Sequence, residues 1–232
     1  QPVTTDGIKL ASDKSGNSGV NCLVLNGVAG NRASFTALTA FGTGNFSVSA
    51  RVRLASPIGT SNPRIFGSAT NGFDLAVLTA DGTLRGAKAN VGNLVASTGA
   101  VAAWIEAVVG YTRSGTTGVY YIDGVAVGTI TDNNDYTVGL TRIGADAADA
   151  SVLNGNIKWA RVYNVALTAP QMLADAAGTI QSSNTFAVDF SLAAKLAPSV
   201  TATTGQTVTI NSTGATGARI SGARDLYQWT AA

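Results

Sequence analysis

Acid–base chemistry has few residues to work with in this chain. Its 232 residues include no histidine, and Asp plus Glu total 13, of which only Glu106 is a glutamate. Without histidine there is no serine–histidine triad, no cysteine–histidine dyad, no imidazole base and little scope for zinc. Glycan hydrolysis needs two carboxylates flanking the scissile bond. The segment around Glu106, Trp104-Ile-Glu-Ala-Val-Val109, holds no partner acid, and no aspartate pair shows motif spacing. A structural Glu106 is favoured over a catalytic one, and the chain is expected not to be an enzyme. Gly42-Thr-Gly44 lacks the rest of a dinucleotide fingerprint and precedes a strand pattern instead of opening a helix. The single cysteine, Cys22, lies in the apolar run Val20–Leu25 and reads as a buried, inert thiol.

Binding chemistry has more candidates. Asp132, Asn133, Asn134 and Asp135 form the densest oxygen cluster. They offer the hard ligands of a calcium ion. The same residue types also build ordinary turns, and that reading is favoured. A calcium-holding rim loop at Asp132, Asn133 and Asp135 stays open, and no cofactor is required. Asp146-Ala-Ala-Asp149 is a second acidic loop that could contribute. A sugar site needs aromatic platforms and polar forks. Tyr136, Trp159 and Tyr163 are the candidate platforms, with Arg161 as the fork. Trp159, Arg161 and Tyr163 alternate and therefore share a face. A core role for Trp159 stands beside its binding role and is favoured. Trp104 reads as core.

Mostly strands must position these residues. Phe46, Val48, Ala50, Val52 and Leu54 alternate with Ser47, Ser49, Arg51 and Arg53, the pattern of a half-buried strand. Gly118–Ile130 reads as a hairpin turning at Asp123-Gly124, because a type I′ turn needs positive φ at both centres. Asp81-Gly82 is expected to make a second such turn, between Phe73–Leu78 and Leu84–Ala89. Asn156–Val162 reads as another strand. Thr168-Ala-Pro-Gln171 is a capping box opening one short helix over Thr168–Ala177, ended by Gly178, with Met172, Leu173, Ala176 and Ala177 as its apolar side. Strands at short, regular spacing predict an all-β, two-sheet antiparallel sandwich with one short helix.

Only 12% of residues are charged and the formal net charge is +2. Basic residues are scattered singly, so the footprint of a nucleic-acid binder is missing. The most apolar stretch, Val101–Val109, is too short for a membrane span and contains Glu106. The chain begins at Gln1, which fits either a processed N-terminus or a sequence lacking its first residues. Residues 1–178 read as the main domain. Residues 179–232 read as closing strands plus an extended tail, since some fifty residues are few for a second core.

Four pieces in order carry a family resemblance: Phe46–Leu54, Trp104–Gly128, Thr141-Arg-Ile-Gly144 and Leu153–Thr168. Over about Asn45–Met172 the chain resembles the laminin-G-like, concanavalin-A-like lectin and glucanase family. The resemblance implies a jelly roll with one concave and one convex sheet. It also implies a setting among glycan-binding modules, adhesive domains and glycanases of secreted bacterial or phage virion proteins. The laminarinase-like branch carries Glu-x-Asp-x-x-Glu on one strand, which this chain lacks. The tail, with Asp189-Phe-Ser-Leu and Ala218–Tyr227, resembles extensions on stand-alone domains from phages and environmental bacteria.

Two non-catalytic roles follow. One is a structural or binding domain of an extracellular or virion assembly, such as a phage decoration or tail-appendage protein, with neighbouring subunits as partners. The other is a secreted bacterial carbohydrate-binding module with surface glycans as partners. The first makes the segment after Gly178 an interface, with Phe186, Phe190, Tyr227 and Trp229 as its anchors.

Overall fold

A computed structural model describes residues 9–10, 22–59, 62–94, 99–179, 181–189, 199–202 and 208–211. The strands run β1 (Lys9–Leu10), β2 (Leu23–Asn26), β3 (Arg32–Phe35), β4 (Phe46–Gly59), β5 (Arg64–Ser68), β6 (Phe73–Val77), β7 (Leu84–Lys88) and β8 (Gly92–Asn93). They continue with β9 (Glu106–Ser114), β10 (Thr117–Ile122), β11 (Val125–Thr131), β12 (Leu140–Ile143) and β13 (Leu153–Tyr163). Helix α1 (Ala169–Ala176) follows, then β14 (Asn184–Asp189), β15 (Ser199–Ala202) and β16 (Val208–Asn211).

Among the described residues these strands form two antiparallel sheets. Sheet A runs β1-β2-β13-β4-β9-β10-β11, with β14 also paired to β13 and β15 to β14; sheet B runs β16-β3-β12-β5-β6-β7-β8. The alternation of β4 does what its sequence demands. Phe46, Val48, Ala50, Val52 and Leu54 are all buried and join Phe66, Phe73, Leu75 and Val77 of sheet B in one core. Aromatic rings lock the two layers together. Phe46 stacks on Phe41 at 4.0 Å and meets Phe73 edge-on at 4.9 Å, while Phe73 stacks on Tyr111 at 5.0 Å. Such contacts add to plain area burial because ring edges and faces carry opposite partial charge.

The Asp123-Gly124 turn has both φ values positive, 51° and 77°, as the hairpin requires. The Asp81-Gly82 turn differs. Only Gly82 is left-handed, at 78°, and the Asp81 carboxylate accepts from the Thr83 amide and hydroxyl at 3.0 and 2.8 Å. The side chain closes this loop, so a longer connection replaces the two-residue turn. The capping box forms, with the Thr168 amide donating to Gln171 Oε1 at 2.9 Å, and Gly178 leaves the helix at a φ of 105°. The inward side of α1 is Met172, Asp175 and Ala176. Leu173 and Ala177, expected on the apolar side, are exposed. Beyond Gly178, β14 pairs along β13 and β16 along β3, so this segment supplies strands to both sheets.

Candidate functional site

Sheet A has an outer face, away from the core, set by Ser47, Ser49, Arg51 and Arg53 of β4. Trp159, Arg161 and Tyr163 lie directly across from Arg51, Ser49 and Ser47 and share that face, as the alternation predicts. All three are buried. Arg161 donates to Asp175 Oδ1 at 2.8 Å and to the Asp175 carbonyl at 3.0 Å, and its guanidinium lies 4.0 Å from the Trp159 ring centre. The Tyr163 hydroxyl donates to Asp175, and Ser49 Oγ donates to the same carboxylate at 2.6 Å. Burial, then the neighbouring Asp175, raises the Tyr163 hydroxyl above its usual range. The expected sugar face is therefore the bed of α1. A ligand would have to displace the helix to reach it.

Tyr136 is likewise fully buried, facing the core beside Phe46 and Phe73. Asp132 sits beneath it with no exposed surface. The Asp132 carboxylate accepts from the Tyr111 hydroxyl at 2.7 Å, from the Tyr136 hydroxyl at 2.9 Å, and from the Asn134 amide at 3.1 Å. Arg113 approaches at 3.9 Å and lies over the Tyr136 ring at 5.4 Å. Burial first, and the charge of Asp132 second, push the Tyr111 and Tyr136 hydroxyls far above their usual range. The calcium reading drew on Asp132, Asn133 and Asp135. Asp132 is turned inward as the acceptor of two phenols, while Asn133 and Asp135 are exposed. Among the described residues no cluster of three acidic, cysteine or histidine side chains is placed to hold a metal ion. Asp149 pairs with Arg32, and Asp146 caps the Ala150 amide at 2.9 Å, so the second acidic loop is spent on its own surroundings.

Of the expected interface anchors, Phe186 is fully buried and stacks on Phe35 at 4.6 Å. Pairing along β13 turns it into the core, where it cannot meet another chain. Phe190, Tyr227 and Trp229 lie outside the described residues.

Among the described residues, the exposed aromatic is one expected inside. Trp104 stands in the connection before β9, 45% exposed, with Ile105 beside it at 61%. Its φ is +67°, an outlier for a bulky side chain. The backbone is held by bonds in both directions. The Trp104 amide donates to the Leu54 carbonyl at 2.7 Å, and its carbonyl accepts from Arg53 Nε at 2.7 Å. The Arg53 guanidinium lies 5.5 Å from the indole centre. Next to this corner, Glu106 pairs with Arg51 at 3.4 Å and with Lys158. The sequence carries a signal for this placement. Trp104 alternates with Glu106, and a charge at the mouth of a strand marks the outward face. The left-handed turn, which decides the matter, leaves no trace in residue type because a tryptophan there is unexpected.

A family model described as the concanavalin A-like lectin/glucanases superfamily matches residues 26–172. Among solved structures, a Bacteroides ovatus protein provisionally assigned as carbohydrate binding matches at 15% identity and TM-score 0.56, over 81% of this chain and 60% of that one. Domain 4 of the Geobacillus stearothermophilus arabinanase AbnA, solved with arabinotriose, matches at 19% identity and TM-score 0.55, over 74% and 87%. Trypanosoma rangeli sialidase, solved with the inhibitor DANA, matches at 15% identity and TM-score 0.53, over 67% and 27%. This chain thus spans less than two-thirds of the Bacteroides protein and about a quarter of the sialidase. At these identities the likeness is one of fold, and the same fold occurs in binding domains and within an enzyme. No curated protein matches the chain. Among the described residues, no helix is long and apolar enough to cross a membrane.

Proposed function

We propose that this chain, which belongs to the concanavalin A-like lectin/glucanase superfamily, is a non-catalytic domain that binds glycans through an exposed tryptophan platform. The observation that carries the reading is Trp104. A strained backbone holds a large aromatic ring at the surface, pinned there by one backbone bond to Leu54 and by the Arg53 guanidinium. Strain of this kind costs on the order of 1–3 kcal/mol and gathers at ligand sites. The indole face offers a flat apolar surface to the C–H face of a sugar ring. Arg53, 5.5 Å from the indole centre, supplies donors for hydroxyls. Arabinotriose on the similar domain of the arabinanase fits this assignment.

Glu106 supports the non-catalytic part. Its carboxylate is neutralised by Arg51 and Lys158, which suits a fixed ion pair better than an acid waiting to deliver a proton. The reading includes a place outside the cell or on a virion surface, among neighbouring subunits. Its weakly ionic composition, 12% charged, supports that setting. No cofactor enters it.

Affinity electrophoresis through gels containing arabinan, xylan or β-glucan tests the proposal. The parent should be retarded in at least one gel, and Trp104→Ala should run free. Equal retardation of both proteins, or none for the parent in any gel, overturns it.

A further inference from the structure

The outer face of sheet B presents a charge that the fold leaves unanswered. Ala76 of β6 lies opposite Arg64 of β5 on one side and Arg85 of β7 on the other. Leu75 and Val77 point into the core, so Ala76 and Asp74 point out. Arg85 stands between Leu84, in the core, and Gly86, whose absent side chain would meet the core Tyr120 hydroxyl and Phe73 ring. It therefore points outward as well. Neighbouring strands are about 4.8 Å apart, so two long guanidinium arms rise on either side of a single methyl group, about 10 Å apart at their roots.

Arg64 is paired within the fold. Its Nε donates to Asp74 Oδ2 at 3.0 Å and its Nη1 to the Asn62 carbonyl. The other Asp74 oxygen accepts from the Ser68 amide at 2.8 Å and the Ser68 hydroxyl at 3.0 Å. Arg85 has no such partner: its Nε is buried without an acceptor, and the guanidinium makes no ion pair among the described residues. Burial and then the like charge of Arg64 lower its pKa, against a smaller opposing pull from Asp74 and Tyr120. Buried donors are paired in all but a few cases, and an exception needs a reason. Ala76, buried, lies between the arms, and Ala87, also buried, sits two residues along β7 across from Asp74. A planar anion would meet the guanidinium fork with two parallel hydrogen bonds and would also relieve the repulsion between the arginines.

We propose that Arg85, backed by Arg64, forms a second binding site that takes the acidic group, carboxylate or sulfate, of a charged sugar residue in a polysaccharide. The choice of a sugar as carrier rests on the glycan-binding reading above. The anion site itself stands on Arg85 and lies on the other sheet from Trp104.

The test is calorimetric titration of the whole chain with polygalacturonate, which carries carboxylates, with dextran sulfate, and with neutral dextran. The parent and the variants Arg85→Gln, Arg85→Lys and Lys88→Gln are compared. Lys88 is on the same strand, so Lys88→Gln removes the same charge without touching the fork. We expect binding of at least one acidic polymer, weakened about tenfold or more in Arg85→Gln. Arg85→Lys should recover little, since an ammonium cannot make the paired contact. Lys88→Gln should bind the acidic polymer like the parent. Which polymer binds separates carboxylate from sulfate. The acidic polymer should also raise the melting temperature of the parent and leave that of Arg85→Gln unchanged, a readout that guards against a folding defect. Equal weakening by Lys88→Gln would show diffuse attraction and overturn the site, as would an absence of binding by either acidic polymer. A failure confined to Trp104 and neutral glycans would overturn the earlier reading and leave this site standing.

Discussion

Arg161 of β13 reaches Asp175 of α1 at 2.8 Å, and both side chains are buried. This pair explains why so short a helix holds its place. Asp175 also takes Ser49 and Tyr163, while Arg161 also donates to the Gly178 carbonyl at 3.2 Å and so holds the chain as it leaves the helix. Met172 and Ala176 add apolar contact, but a helix of two turns cannot sustain itself by propensity. A second aspartate repeats the device on the core side of sheet A, where Asp132 gathers Tyr111, Tyr136 and, at longer range, Arg113.

The first prediction concerns the helix lock. Asp175→Ala leaves the Arg161 charge buried and unpaired, a loss of about 3–5 kcal/mol for a buried pair. Replacing both partners, Asp175→Leu with Arg161→Met, should recover a substantial part, because it removes the unpaired charge. Urea denaturation checks this. A single variant no less stable than the double variant would show that the pair does not hold the helix.

The second concerns alkaline pH. Burial raises the hydroxyls of Tyr111, Tyr136 and Tyr163 above the ordinary tyrosine value of 10.0, and it pushes Tyr120 up to about 12. Each is neutral when folded and ionises more readily when unfolded. Their contribution to stability is thus complete below pH 10 and disappears as pH rises through the folded values. Denaturation midpoints should hold steady up to about pH 9 and fall steeply above pH 10. The absorbance of phenolate should rise together with loss of the folded signal. Tyr111→Phe should flatten the fall, and an unchanged slope in that variant would contradict the assignment.

Much of the fold is legible in the residues. The core face of β4, the Asp123-Gly124 hairpin and the Thr168 capping box are local signals and form as their sequence says, whereas Ser47 and Ser49, expected on the uncovered side of a half-buried strand, are buried beneath α1 and the segment before it. The site is less legible, because alternation groups residues by face without saying what covers the face. Trp159, Arg161 and Tyr163 do align, but α1 lies over them, and its inward residue is an aspartate that no apolar pattern would choose. Asp132 carries the same composition as a turn aspartate. Its burial depends on two tyrosines, one of them 21 residues away in sequence. Phe186 alternates like an edge residue, yet β13 accepts it as a partner and turns it inward. The pairing of Arg64 and Arg85 across Ala76 depends on register between three strands, which no single strand records.

The third prediction contrasts two glycines. A Cβ at Gly139 would lie 1.7 Å from the Leu38 carbonyl oxygen, a backbone atom that cannot swing aside, whereas a Cβ at Gly92 would meet nothing within 4 Å. Gly139→Ala must therefore push the β3–β4 connection away from the segment leading into β12. A cost of about 3 kcal/mol or more is expected, at the upper end for overpacking. Gly92→Ala should change stability by no more than about 0.5 kcal/mol. Thermal or urea denaturation reads both, and a tolerated Gly139→Ala would show that the two segments are not in contact.

The fourth prediction separates what Trp104 does for folding from what it does for binding. Its φ of +67° costs a tryptophan on the order of 1–3 kcal/mol, and glycine adopts the same angle freely. Against that relief stands the lost contact with Arg53, worth about 0.5–1 kcal/mol at an exposed position. Trp104→Gly should accordingly be as stable as the parent or more so. Trp104→Ala keeps the strained angle and loses the guanidinium contact, so it should be the least stable of the three. Retardation by neutral polysaccharide should vanish in both variants. That ordering, with stability kept or raised by glycine while binding is lost, is what a residue retained for its ligand at the expense of the fold would give. If Trp104→Gly instead loses as much stability as Trp104→Ala, the ring is a structural clamp for the start of β9, and its exposure has no bearing on sugar.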